Sequence, residues 1–260
     1  MQLPDYVSAS AAQKAFELQA QSLKDQVILI TGATGGLGTQ LSLACGRAGA
    51  TVVLASRNEK KLDKLYDAMI KEGFATPAII PLQQEQAGPN EYGRLADLLQ
   101  SEFGRLDALV HCSADTGTPT PQINIEHSEW MRVMNVNLTA ARLLSLYCMP
   151  LLMKSGLGSM VFLLDYKTTA YWGTYGVSKQ GVQTLMHMLA SEIDNHLGED
   201  QCPALAINGY DPGPMRTSLR RRKFPGELET DTELPQTRLG PLLSLLARTD
   251  RHTTGVALSY

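Results

Sequence analysis

A chain of 260 residues with 43% hydrophobic and 19% charged side chains is long enough to bury a large core, and its formal net charge of −3 gives no basic surplus that would point to nucleic acid. Its four cysteines, Cys45, Cys112, Cys148 and Cys202, form no CxxC pair and read as reduced thiols, which excludes a zinc site or a disulfide framework. Residues 1–25 hold no apolar signal core, and the longest apolar stretch, 143–153, is too short for a bilayer and carries Pro150, so a soluble cytoplasmic protein without a membrane partner is expected.

Residues 7–22 are rich in helix formers and lack Gly and Pro, but their apolar face is thin. Two readings stay open for this N-terminal extension (1–23): a helix docked on the body or on a partner subunit, or a frayed tail. Gln26–Thr31 is a continuous apolar run, as in a strand buried on both faces. A glycine-rich turn follows, then a helical pattern through Leu41, Ala44 and Ala48 to Gly49. Thr51–Ala55 is a second strand, and 58–71 a charged amphipathic helix with Leu62, Leu65 and Met69 on its apolar face. Strands at Ala78–Leu82 and Asp107–Cys112 flank a helix over 90–103. A long helix over 126–154, irregular near Pro150, precedes the strand Ser159–Leu164. The helix carrying Tyr175 and Lys179 runs to about Leu197, and the strand Ala204–Asn208 follows. A polar, proline-bearing segment at 211–235, a helix at 236–248 and a strand at 254–259 finish the chain. This alternation predicts an α/β fold, a doubly wound parallel sheet with right-handed crossovers, in one domain over 24–260.

Gly32-x-x-x-Gly36-x-Gly38 lies between a predicted strand and a predicted helix, the context of a phosphate-binding turn. There the backbone can approach a pyrophosphate, and the helix start offers free N–H groups and a positive dipole end. The alternative is a tight β-to-α turn with no ligand. At the end of the second strand an NAD site would place an acidic residue; this chain has Ser56 and Arg57. A guanidinium can fork onto a 2′-phosphate, so NADP(H) is favoured over NAD(H), against a plain solvated arginine at a helix start. Tyr175 and Lys179, four apart, share one helix face, and a cation there favours a phenolate.

Together these residues, with Asn137 in Asn135-Val136-Asn137-Leu138 and the segment Pro212-Gly213-Pro214-Met215-Arg216-Thr217, resemble the short-chain dehydrogenase/reductase family in order and spacing, over about residues 24–259. Within it the chain looks like poorly characterised bacterial oxidoreductases. The resemblance implies a Rossmann-type sheet of about seven parallel strands and hydride transfer between a nicotinamide and a carbonyl/alcohol substrate. It implies dimers or tetramers built through the Asn137 and Tyr175 helices. By position, Tyr175 matches the general acid/base and Lys179 the lysine that binds the nicotinamide ribose and lowers the tyrosine pKa. Asn137 matches the asparagine that kinks its helix and orders a relay water. Thr34, Gly35 and Leu37 match turn positions at the pyrophosphate and ribose, and Pro212, Gly213, Met215 and Thr217 the segment beside the nicotinamide. A lid over about 214–235 carries the basic residues Arg216, Arg220, Arg221, Arg222 and Lys223, which read either as an attractor of anionic substrate or as a solvated face.

Three positions depart from the family pattern. His111-Cys112-Ser113-Ala114 stands for Asn-Asn-Ala-Gly, with His111 read as a hydrogen-bonded structural residue and Ser113 on the cofactor side. Gln83 replaces an aspartate near the adenine. Asp165 stands where the catalytic serine is expected, counting from Gly158, and the following loop is about three residues short. An ionised carboxylate cannot donate a hydrogen bond to a substrate oxygen and raises the pKa of a neighbouring tyrosine. Four readings stay open: a protonated, donating Asp165; a hydroxyl supplied by Thr168 or Thr169; a cofactor-binding protein with weak or no turnover; or an Asp165–Lys167 pair that only shapes the loop.

Overall fold

The computed structural model describes residues 6–194 and 204–260. Eight strands form one sheet: β1 (Val7–Ser8), β2 (Val27–Thr31), β3 (Thr51–Ser56), β4 (Ala78–Pro81), β5 (Ala108–His111), β6 (Gly158–Leu163), β7 (Leu205–Asp211) and β8 (Ala257–Ser259). Their order is β1-β8-β7-β6-β5-β2-β3-β4, and every pair is parallel. Seven of them follow the predicted rhythm; the eighth comes from the N-terminal segment.

The inner strands are apolar on both faces because both faces are covered. Leu29, Val53, Leu109, Met160 and Ile207 enter one core layer, while their neighbours Ile28, Ile30, Val52, Leu54, Val110 and Val161 enter the other. The first layer is closed by α4 (Pro89–Phe103), α6 (Ala140–Lys154) and α7 (Gly173–Asp194), the second by α2 (Gly36–Arg47), α3 (Glu59–Lys71) and α9 (Gly240–Leu246). Removing one fully buried leucine here, as in Leu29→Ala, would cost about 2–5 kcal/mol. Pro81 is tolerated because β4 is an edge strand, where a missing ladder donor costs little.

Residues 7–22 form neither a continuous helix nor a tail. Val7 and Ser8 pair with Leu258 and Ser259, and Ser10 caps a single helical turn, α1 (Ala11–Lys14), by a reciprocal capping box with Gln13. The thin apolar face of this stretch explains why a longer helix has nothing to bury. The irregularity expected near Pro150 sits elsewhere: α5 (His127–Met134) passes into α6 through a π-helical turn at Asn135–Thr139, and Pro150 lies inside α6. Among the described residues, 127–154 is the one helical stretch long and apolar enough, by length and composition alone, to cross a membrane. Its Val133, Leu144, Cys148 and Leu152 are buried inside the molecule. The expected end of the Tyr175 helix near Leu197, and Cys202, lie outside the described residues.

The chain runs from β2 outward to β4, then returns to β5 on the other side of β2. At that reversal the loops after the two strands part, leaving a crevice at the carboxyl ends of the sheet.

Candidate active site

A cleft of about 360 Å³ occupies this crevice, running from the glycine turn to the loop after β7. Gly32, Thr34, Gly35, Gly36, Leu37 and Gly38 form one end. Gly32 has φ +61°, and a side chain there would lie 2.8 Å from the Ser113 backbone nitrogen. A Cβ on Gly36 would come within 2.6 Å of the Thr217 methyl, so the turn leaves room for backbone alone. Gly35 caps α2 without any side-chain hydrogen bond, which leaves the first N–H groups of the helix free for an anion.

Ser56 and Arg57 line the mouth of the cleft at the end of β3, with the Ser56 hydroxyl 2.7 Å from that of Thr34. Asn58 caps α3 by accepting from the Lys61 N–H at 3.0 Å, and this turn brings Lys61 to the same mouth, a residue the sequence pattern did not single out. Gln83 is not part of the cleft. Its side chain is exposed and donates to the Arg57 carbonyl at 3.2 Å, while Leu82 and Gln84 line the wall. The period-2 alternation of an extended segment accounts for the one-residue shift.

Tyr175 and Lys179 lie one turn apart on α7, both buried and both lining the cleft, with Nζ 5.9 Å from the phenol ring centre. Lys179 Nζ donates to the Leu163 carbonyl at 2.6 Å. The phenol donates to Asp165 Oδ2 at 2.9 Å, and Lys167 Nζ sits 2.8 Å from Asp165 Oδ1. Burial, then the charge and hydrogen bond of Asp165, hold the Tyr175 hydroxyl well above the usual phenol range. The lowering expected from Lys179 is therefore reversed in this state; the ammonium is itself pushed down by burial. Asp211, half turned into the same cleft and raised by burial, accepts from the Gly213 N–H at 2.8 Å. Thr168 and Thr169 are exposed and do not line the cleft, so neither supplies the missing hydroxyl here. The loop after β6 closes through Tyr171 at φ +70°, an unfavourable conformation for a residue with a side chain.

Asn137 is buried behind the cleft wall, in the π-helical turn. Its Oδ1 accepts from the Asp115 N–H at 2.7 Å; its Nδ2 donates to the Asp115 carbonyl at 2.9 Å and to Ser178 Oγ at 2.8 Å. Ser178 Oγ in turn donates to the Tyr175 carbonyl at 2.8 Å. Asn137 thus ties the loop after β5 to the tyrosine helix. A separate cavity of about 10 Å³, near the lower limit for one water, lies between Asn137, His111 and Lys179. His111 stacks on Phe162 at 4.5 Å and shares a 3.0 Å hydrogen bond with Ser145; burial, then Lys179, lower its pKa to about 3. The thiols of Cys45, Cys112 and Cys148 are free, and burial pushes each up to about 12.

Ser113, Pro212, Gly213, Met215 and Thr217 line the far side of the cleft. Beyond them, Thr217 caps a short helix, α8 (Ser218–Lys223), which Phe224 packs onto Trp172 with ring centres 5.8 Å apart. Three of the five basic residues over 216–223 are already matched: Arg216 and Arg221 with Glu229 at 3.7 and 2.9 Å, and Arg220 with Glu227 at 2.7 Å. Lys223 lies over Trp172, 4.8 Å from its ring centre. Trp172 and Asp211 are cleft residues that no spacing rule in the sequence marks: Trp172 lies in the irregular loop after β6, and Asp211 is the last residue of β7; Lys167, named in the sequence only as a partner for Asp165, also lines the cleft.

The sequence profile of the short chain dehydrogenase family matches residues 26–228. An uncharacterized oxidoreductase of Escherichia coli K12, YciK, is 31% identical over 237 residues, covering 90% of this chain and 91% of that protein. A short chain dehydrogenase structure from Salmonella enterica serovar Typhi superposes with TM-score 0.88 at 31% identity, covering 94% of this chain and 99% of that one. A Shigella flexneri 2a structure complexed with NADP superposes with TM-score 0.87 at 30% identity, covering 93% of this chain and 99% of that one.

Proposed function

This chain belongs to the short chain dehydrogenase family, and on that premise we propose that it is an NADP(H)-dependent oxidoreductase that interconverts a carbonyl and an alcohol, with Tyr175 as acid and base. The observation that carries the reading is the position of Tyr175: its phenol and the Lys179 ammonium face one cleft whose other end is the glycine turn. When bound, the nicotinamide supplies or accepts hydride. The uncapped start of α2 would receive the pyrophosphate, and the Gly32–Gly38 turn fits that group because side chains there would fill the cradle. Arg57, with Lys61 beside it, would receive a 2′-phosphate, which supports NADP(H) over NAD(H). The bound NADP of the Shigella flexneri neighbour supports the same choice. Lys179 would hold the nicotinamide ribose.

Tyr175 keeps its proton at neutral pH, so it is set to give that proton to a substrate oxygen, as reduction needs. Asn137 acts by position, holding the loop after β5 against α7. A second reading, cofactor binding with little turnover, is favoured by the Asp165 contact, which ties up the same phenol. Assembly as a homodimer or tetramer through α6 and α7 is supported by Leu146, Tyr147, Val177 and Met188, large apolar side chains exposed on those helices. Calorimetric titration with NADPH and NADH, followed by a carbonyl panel on wild type and Tyr175→Phe, tests the whole reading. NADPH binding more tightly than NADH, with turnover abolished in the variant, is expected. Turnover that survives Tyr175→Phe would remove the role given to that residue.

A further inference from the structure

We propose that Lys167 supplies the hydrogen bond to the substrate oxygen that the family's serine would give, so that the Asp165–Lys167 pair replaces one hydroxyl with a carboxylate and an ammonium of divided labour. The inference rests on the oxidoreductase reading above. One carboxylate bridges two groups: Asp165 Oδ2 accepts from the Tyr175 phenol at 2.9 Å, and Oδ1 meets Lys167 Nζ at 2.8 Å. Both Asp165 oxygens face donors, so Asp165 serves as acceptor and orients the tyrosine. It has nothing to donate to a carbonyl oxygen.

Lys167 has. An ammonium carries three protons, and the contact to Asp165 uses one. The residue lines the cleft beside Tyr175, and its side chain is 28% exposed, so the remaining protons are open to the cleft. Nζ also lies 5.4 Å from the centre of the Trp172 ring, which holds the side chain against one wall. The two threonines that follow are exposed and outside the cleft, whereas Lys167 lines it and shares Asp165 with the tyrosine. A loop shortened by about three residues would carry a serine away from its usual place; a long, flexible lysine spans the gap.

In the reaction, the reduced nicotinamide, when bound, would supply hydride to the carbonyl carbon as the C=O π pair moves to oxygen, and would itself be oxidised. That oxygen takes the Tyr175 proton, and the phenolate left behind regains a proton from solvent. Lys167 neither gains nor loses a proton overall. It stabilises the negative charge growing on the oxygen, and its own charge offsets that of Asp165 next to the same centre.

The test uses the full chain as wild type, Lys167→Met, Lys167→Arg, Asp165→Ala and the double variant Asp165→Ala/Lys167→Met. NADPH affinity is measured by calorimetry, and kcat and KM with 4-nitrobenzaldehyde. Lys167→Met is expected to cut kcat by about 100-fold, the scale of one lost oxyanion donor, while NADPH affinity holds. Lys167→Arg should recover part of that loss. The double variant decides between donation and neutralisation. If Lys167 touches the substrate, its removal still lowers kcat by about tenfold or more in the Asp165→Ala background. An unchanged kcat in that background overturns the proposal and leaves the oxidoreductase reading standing. Wild type that binds NADPH yet reduces no aldehyde also overturns it. Wild type that fails to bind NADPH overturns the reading beneath it, and the proposal with it.

Discussion

The phenol of Tyr175 and the carboxylate of Asp165 share a 2.9 Å hydrogen bond inside the cleft, with the phenol as donor. That single contact points the reactive proton at a negative charge and raises the cost of removing it. A substrate oxygen must therefore compete with Asp165 for the same proton.

Replacing Asp165 by serine should lower the Tyr175 pKa, since it removes both the charge and the hydrogen bond that raise it and leaves burial in place. The deprotonated phenol is the form that accepts a proton in alcohol oxidation. The rise of kcat for oxidation with pH should accordingly move to lower pH in Asp165→Ser. A profile that stays where it was would show that the Asp165 charge does not reach the phenol in the loaded enzyme.

Arg57 is exposed at the mouth of the cleft, and Lys61 stands beside it. Arg57→Ala should weaken NADPH binding about tenfold, the worth of one charge-assisted hydrogen bond, and leave NADH within about twofold. Equal losses for the two cofactors in calorimetric titration would mean that Arg57 does not read the 2′-phosphate.

Asn137→Ala removes three hydrogen bonds at once, two partly buried ones to the Asp115 backbone and a buried one to Ser178. The abandoned groups should cost about 1–3 kcal/mol, seen as a lower urea midpoint with an unchanged slope. Because Ser178 holds the Tyr175 carbonyl, kcat should fall alongside; an unchanged kcat would confine Asn137 to folding.

His111 is buried neutral, with its pKa lowered from 6.5 to about 3. Below about pH 6.5 the unfolded chain takes up a proton that the native chain refuses. The associated stability is complete above that pH and is lost as pH falls toward 3, by up to about 1.4 kcal/mol per unit. The melting temperature should drop between pH 8 and pH 5, and His111→Asn should flatten that slope even though it forfeits the stacking on Phe162. Parallel slopes in the two proteins would assign the acid sensitivity elsewhere.

The sheet was legible because its inner strands are buried on both faces, which gives short apolar runs such as Val27-Ile28-Leu29-Ile30 bounded by turns. The glycine turn was legible because backbone crowding leaves so few residue choices there. What the pattern missed depends on contacts between irregular segments. Gln84 rather than Gln83 reaches the cleft because of where β4 ends, and Trp172 enters it from the irregular loop after β6. Asp165 stood out as a departure and Lys167 as one candidate partner, but the hydrogen bond from Tyr175 could be known only from the folded loop. The N-terminal strand is two residues long, too brief for any periodicity, and its partner lies at the other end of the chain.

That small strand has a consequence for handling the protein. Without Val7 and Ser8, the outer side of β8 would present unpaired N–H and C=O groups, an open template for a strand from another molecule. Tyr6, just before it, reaches Gln183 on α7 at 3.3 Å and lies edge-on to Tyr166 beside Asp165. Trimming the chain to residue 9 would therefore do two things together. It would leave a sticky edge that promotes association at high concentration, and it would loosen the back of the loop that holds Asp165.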